Sequence, residues 1–317
     1  DTDHIYALTT QQLAYGFSVD NLNALTSDQI QSLRTAQIAG LTTLQASSLN
    51  TQQLAYLSAG QMTGLTTAQM TALTADQIAA FGTAQIAAID TQDMAALSAS
   101  QFTGLSSDQT VALTTAQVRG LKTLQINAIA AAQIGVFTSD QLQALSTQQA
   151  AALSVDAVTG LSTAQLNVLT TADVAALGTL QISSIDTAKL VGLNTDQIQA
   201  LTSTQLGAMG NDQLNAFSTS QVVALRTAQI GYLSTIQIAA LSSTQMRALT
   251  SDQVASIKTS QIVALTIDQM SVLLTGQLQA LTTAQIQTLS NSQLTALSST
   301  QAAARAMLWT ADTVGEA

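Results

Sequence analysis

From residue 18 to residue 297 the chain is an unbroken run of thirty-five octapeptides, with no residue inserted or deleted. The pattern is [S/T]-T-x-Gln-[I/L/V/M]-x-[A/G/S]-Leu, as in TSDQIQSL (26–33) and TTAQIQTL (282–289). A fixed short period removes the usual expectation of about two domains for 317 residues, because a repeat array grows in one dimension without a domain-sized core. Three segments follow: edge repeats at 1–17, the regular array at 18–297, and a degenerate repeat or cap at 298–317.

Numbering each octad 1 to 8, position 8 is Leu, Ile, Phe or Met throughout the array, and position 5 is nearly always aliphatic. Position 4 is Gln in 31 of the 36 units that begin between Ser18 and Ser298, and position 1 is Ser or Thr in 23 of them. That spacing writes a helix start into every unit. A hydroxyl at the N-cap accepts from the N3 amide, and a Gln at N3 reaches back to the N-cap amide. The preceding Leu at N′ and the position 5 aliphatic at N4 form the matching hydrophobic staple.

The acids test this reading independently, since helix N-termini favour negative charge. Within the array Asp stands at position 3 in ten units (Asp20, Asp28, Asp76, Asp108, Asp140, Asp156, Asp196, Asp212, Asp252, Asp268), at the cap in Asp90 and Asp186, and at N3 in Asp93 and Asp173. None falls in the second half of a unit. Where position 1 lacks Ser or Thr, position 2 is Thr in 11 of 13 cases, which predicts that the cap slides by one residue in some units.

One continuous helix is excluded by geometry, because eight residues at about 100° each overshoot two turns by about 80° and scatter the leucines. A β-solenoid would want β-branched alternation with Gly or Asn corners, whereas Ala and Gln, both helix formers, dominate here. The expected fold is all-α: an α-solenoid of helices about five to seven residues long, one per octapeptide, each too short to stand alone. Small residues at position 7 let neighbouring backbones approach. Departures from consensus suggest three octads per turn. Arg34, Gly82, Ala130, Gly178, Arg226 and Leu274 recur every 48 residues at position 1, and Phe17, Ile89, Phe137, Ile185, Met209 and Ile257 share a 24-residue phase at position 8. Two octads per turn, a zigzag of helical pairs, is the alternative. With layers about 10 Å apart, a three-octad coil would make a rod on the order of 100 Å long. At the ends, the nine residues 9–17 carry Gly16 as the insertion, and Trp309, the only Trp, is a candidate lid over the exposed core.

Composition excludes several functions. Charged residues make up 8% of the chain, against roughly 25% in ordinary domains, and the net charge is −10. Nucleic acid is therefore not an expected partner, because eight Lys and Arg spread over the whole length form no basic stripe. No apolar run reaches the roughly 18 residues of a membrane span, so no membrane insertion is expected. The chain opens at Asp1 within an in-register octad, DTDHIYAL, which suggests a mature product or a segment of a longer array.

No catalytic, cofactor-binding or metal-binding residue is assigned. His4, the only histidine, stands where Gln normally does, and no base accompanies any Ser or Thr. Cys is absent and no His/Cys/Asp/Glu cluster has ligand spacing. Aspartates at position 3 could gather Ca²⁺ loosely, but the helix dipole explains them more simply. Tyr6, Tyr15, Tyr56 and Tyr232 read as packing or surface contacts.

Strings such as ALTTAQIQTL (280–289), TTADVAAL (170–177) and DTQDMAAL (90–97) resemble the Ala/Thr/Gln octapeptide arrays of large bacterial surface or secreted proteins, grouped with adhesins and haem-utilisation-like proteins. The resemblance spans nearly the whole chain and implies an extracellular or cell-surface protein of a Gram-negative bacterium. It gives haem no residue-level support, because one His in an edge repeat is a poor axial ligand. The unit also looks like the first helix of the DNA-reading repeats of TAL effectors, but those repeats are several times longer and carry a basic second helix that is missing here. The expected function is structural: a rod acting as a fibre, filament or sheath subunit or as an adhesin stalk, not an enzyme, and self-associating head-to-tail or laterally or joining a cell-surface assembly. The alternative is a ligand- or partner-binding solenoid module of a surface adhesin.

Overall fold

A computed structural model of the protein describes residues 1–303. The expected lid residue Trp309 and most of the degenerate segment 298–317 lie outside the described residues. The chain divides into two compact units, Asp1–Leu161 and Ser162–Ala317, and each is described by itself. The first holds twenty helices, from Thr2–Ala7 to Val155–Gly160. Among its described residues the second holds seventeen, from Thr163–Val168 to Asn291–Thr295, followed by helical residues 299–303. Helices are four to seven residues long, and there is no strand among the described residues.

In both units helices pack on the helix three octads further along. One side of the first unit runs Thr2–Ala7, Ser27–Ser32, Thr51–Tyr56, Ala75–Ala79, Ala99–Thr103, Thr123–Asn127 and Thr147–Ala152. One side of the second runs Thr171–Ala176, Thr195–Ala200, Thr219–Ala224, Ser243–Ala248, Ile267–Val272 and Asn291–Thr295. Three octads therefore make one turn in each unit, and the zigzag of helical pairs, which would stack residues 16 apart, is excluded.

The core of each coil comes from positions 5 and 8. Ile30, Ile38, Met70, Ile86, Ile198, Leu206 and Ile238 at position 5 are fully buried, and Leu33, Leu57, Leu201 and Leu249 at position 8 nearly so. Burying a side chain of this size stabilises by about 1.5–3 kcal/mol, which a lone helix of six residues could not gather. The corners turn without special backbone. Among the described residues none has positive φ and no peptide bond is cis. Instead two successive residues are extended, as at Leu33 (φ −64°, ψ 133°) and Leu41 (φ −64°, ψ 140°), each followed by an extended N-cap. A corner of this kind asks for neither Pro nor a left-handed Gly.

Close approach is carried by position 7. A methyl group built on Gly64 would lie 2.6 Å from the Thr35 carbonyl oxygen, one on Gly40 2.8 Å from Thr10 Cβ, and one on Gly160 2.5 Å from Ala131 Cα. In the second unit the corresponding contact joins Gly192 and Thr163. In each case position 7 of one octad meets position 2 of the helix one coil earlier. The expectation of small residues there is met, and its partner is now identified.

Candidate functional surface

Most corners are held by a glutamine that does two jobs at once. In the octad 58–65, Gln61 Oε1 accepts from the Ser58 amide at 2.8 Å, while Ser58 Oγ accepts from the Gln61 amide at 3.2 Å. That is the capping box read from the sequence. The other end of the same side chain leaves the octad altogether. Gln61 Nε2 donates to the carbonyls of Ile30 (2.8 Å), Gln31 (3.3 Å) and Leu33 (2.7 Å), at the corner one coil earlier. The second unit repeats this: Gln237 Oε1 accepts from the Ser234 amide at 2.9 Å, and Nε2 donates to Leu206 and Met209 at 2.9 Å each. The registers of 28 and 31 residues recur along the chain, for example at Gln117 and Gln269. The position 8 carbonyl is otherwise an orphan acceptor at a helix end, and it lies at a buried corner. Rungs of glutamine therefore climb the corners of the coil, interrupted where position 4 is another residue, as at Asp93 and Ala157. This second role was not derivable from one octad, because nothing within eight residues marks what lies 28 residues away.

The hydroxyl half of the box is dispensable. Where position 1 is Arg34, Gly82, Lys122 or Leu274 the N-cap stays at position 1 and makes no side-chain cap bond. The expected slide of the cap to the following Thr does not occur. The reason is the rung: Arg34, Gly82, Lys122 and Leu274 still donate their amides to Gln37, Gln85, Gln125 and Gln277 at 2.7–2.9 Å, and the glutamine is anchored below. At Ala130 the cap hydroxyl is missing and a neighbour substitutes. Asp156 Oδ2, one coil on, accepts from the Ala131 amide at 2.8 Å.

The residues singled out in the sequence sit as follows. His4 occupies N3 of the helix Thr2–Ala7, with its amide on Asp1 Oδ1 at 3.0 Å and its Nδ1 2.8 Å from the same oxygen. The position 3 aspartates all fall in the first turn of their helices, as at Asp28, Asp76, Asp196 and Asp252. Of the tyrosines, Tyr6 lies under the Arg34 guanidinium (5.1 Å to the ring centroid) and Tyr232 beside Lys258 Nζ (5.2 Å), both surface cation–π contacts. Tyr56 OH accepts from Gln52 Nε2 at 2.7 Å. Among the described residues no group of three or more His, Cys, Asp or Glu is placed to hold a metal ion, and no helix is long and apolar enough to cross a membrane.

The outward surface is mostly hydroxyl, amide and alanine, with isolated apolar side chains at positions 3 and 6. Leu44, Leu124, Leu180 and Ile236 are at least two-thirds exposed. In the second unit Ile236 borders a shallow notch with Thr235, Ala239, Ala240 and Ala264, and Val263 stands exposed next to it in sequence. In the first unit a notch is lined by Thr103, Ser106, Ser107, Thr110, Gln133 and neighbouring alanines. Thr110 replaces the position 5 aliphatic, and its buried hydroxyl has no hydrogen-bond partner. The sequence marked neither notch.

A family model described as the ALTTAQ repeat matches residues 86–123, 115–147, 174–216, 206–243, 228–259 and 238–275, together just over half of the chain. No curated protein matches it.

Proposed function

Since the chain belongs to the ALTTAQ repeat family, we propose that it is a structural repeat protein, the solenoid part of an extracellular fibre, filament, sheath or adhesin stalk on a bacterial cell surface. The observation that carries this reading is the sameness of the corners. The glutamine rung and extended corner recur through both units, and the conserved chemistry of each octad is spent on holding the next coil. What remains for the exterior is neutral hydroxyl and amide, with few charges to keep copies apart. Such a surface suits lateral packing, and an open solenoid suits head-to-tail joining.

A second reading, a partner-binding module of a surface adhesin, rests on the notch beside Ile236. Ile236 is 70% exposed there, among small alanine and threonine side chains that leave its face open. Negative-stain microscopy of the purified protein over a concentration series separates the two. Ordered fibres or sheets that grow with concentration are the expected result. Discrete particles at every concentration would sink the structural reading and leave the binding module.

A further inference from the structure

We infer that the notch at Thr110 in the first unit is a binding site for a neutral primary carboxamide, the group that ends a glutamine side chain. The starting point is a rung that is not closed. A position 4 glutamine normally joins the position 1 amide of its own octad to the position 8 carbonyl at the corner one coil earlier. Gln125, for example, accepts from the Lys122 amide at 2.9 Å and donates to Leu97 O at 3.1 Å. Gln133 does neither. Its octad has no capping box, and its Nε2 reaches only Phe102 O, at 3.2 Å. No described group accepts from the Ala130 amide or donates to Leu105 O, the two ends this rung would join. The missing cap hydroxyl at Ala130 is not the cause, because Gly82 and Leu274 also lack one and keep their rungs.

Both ends belong to residues of the same notch. It measures about 330 Å³, and Leu105, Thr110, Ala130, Gln133 and Val136 are among the residues that line it. Thr110 is a second, independent sign of a ligand. It is the one polar residue at position 5 between Leu22 and Leu294, and the coils on either side carry Ile86 and Ile134 there. Its side chain is fully buried, and its hydroxyl has no hydrogen-bond partner. An unpaired buried hydroxyl is costly and calls for an explanation.

The unmet groups define what fits. They are a donor, the Ala130 amide; two acceptors, Leu105 O and Gln133 Oε1; and the Thr110 hydroxyl, which can act as either. A primary carboxamide is complementary to this set. Its two N–H groups answer the acceptors, and its oxygen answers the amide or the hydroxyl. No charged side chain lines the notch, so a carboxylate or an ammonium group would enter without a counter-charge. Val136, at a position usually held by a small residue, offers an apolar wall to the ligand's methylene stem. Two sources carry such a group. One is a small amide free in solution. The other is an exposed glutamine of a second copy, such as Gln31 or Gln148; this source alone rests on the lateral packing proposed above.

The test is a magnetic resonance titration of the full chain, isotope-labelled on its valine nitrogens, with propionamide as the probe and propionate as the control. The Val136 signal, assigned through V136I, reports on the notch. Propionamide should move it saturably, with a dissociation constant on the order of 10 mM for so small a ligand, and propionate should leave it in place. T110V swaps the hydroxyl for a methyl group and returns position 5 to its aliphatic pattern, so the fold is kept. It should bind propionamide about tenfold more weakly. Equal binding by wild type and T110V would place the amide elsewhere and overturn the site. No saturable movement in the wild type would mean that Gln133 closes its own rung, and would overturn it as well. Sedimentation equilibrium with excess propionamide separates the sources: weakened self-association assigns the group to a second copy, and unchanged association to a free amide. A chain that never associates sinks only the structural reading, and the titration still decides the site.

Discussion

Replacing Gln237 with alanine is expected to destabilise the protein by about 2–4 kcal/mol, several times the cost of removing the hydroxyl cap in the same octad. The side chain is buried and joins four backbone groups: the Ser234 amide, and the carbonyls of Leu206, Gly207 and Met209. Truncation leaves the Met209 carbonyl without a donor at a buried corner, and each orphaned buried group costs about 1–3 kcal/mol. S234A removes only the hydroxyl that caps the Gln237 amide at 3.1 Å, a change worth about 1 kcal/mol. Arg34, Gly82 and Leu274 already live without such a hydroxyl. Urea denaturation of Q237A and S234A beside the wild type measures the ratio. Because coils in a repeat array can open locally, hydrogen exchange at the Ser234 amide should also quicken in Q237A. Equal costs for the two variants would reduce the rung to an ordinary capping residue.

The second large effect is expected at Gly64. Its added Cβ would lie 2.6 Å from the Thr35 carbonyl oxygen and 2.9 Å from Thr35 Cα. These are backbone atoms of the adjacent coil and cannot swing aside as a flexible side chain would. Gly64→Val should therefore push two coils apart and cost about 3 kcal/mol, the upper part of the range for overpacking. Gly207 is the control. It lies inside the helix Ser203–Ala208 with nothing within 4 Å of an added Cβ, so Gly207→Ala should stabilise by about 0.5–1 kcal/mol through helix propensity alone. Denaturation midpoints of opposite sign for the two variants are the expected pattern. A mild effect at Gly64 would mean that the coils have slack at position 7.

Much of the fold is legible in one octad because its determinants are local. The cap, the N3 glutamine, the staple and the first-turn aspartates all act within eight residues, and they appear where the sequence places them, as at Thr26, Gln29 and Asp28. The number of octads per turn is legible only through departures from the consensus. Residues such as Phe137 and Ile185 keep a 24-residue phase because they share one corner of the coil.

What the sequence hides is long-range. The Nε2 half of each rung has no signature, since Gln is already accounted for by the capping box. For the same reason the cap slide inferred from Thr35 and Thr83 does not occur: the rung, not the hydroxyl, fixes the cap at Arg34 and Gly82. Asp93 and Asp173 read alike in sequence, as acids at N3. Only the coil beneath shows that an acid at Asp93 withholds a donor from Leu65.

The central claim is that every third octad stacks, so that residues 24 apart are neighbours and residues 16 apart are not. The chain has no Cys, so pairs of spin labels can be placed without background. Ser220 and Thr244 are exposed at position 3 of octads whose helices, Thr219–Ala224 and Ser243–Ala248, pack together; Ser220 and Ile236 are the 16-residue control. Electron paramagnetic resonance should show strong dipolar broadening for S220C/T244C, as expected for helix axes about 10 Å apart, and a clearly longer separation for S220C/I236C. A shorter distance for the second pair than for the first would contradict the three-octad coil and, with it, the rungs that hold its corners.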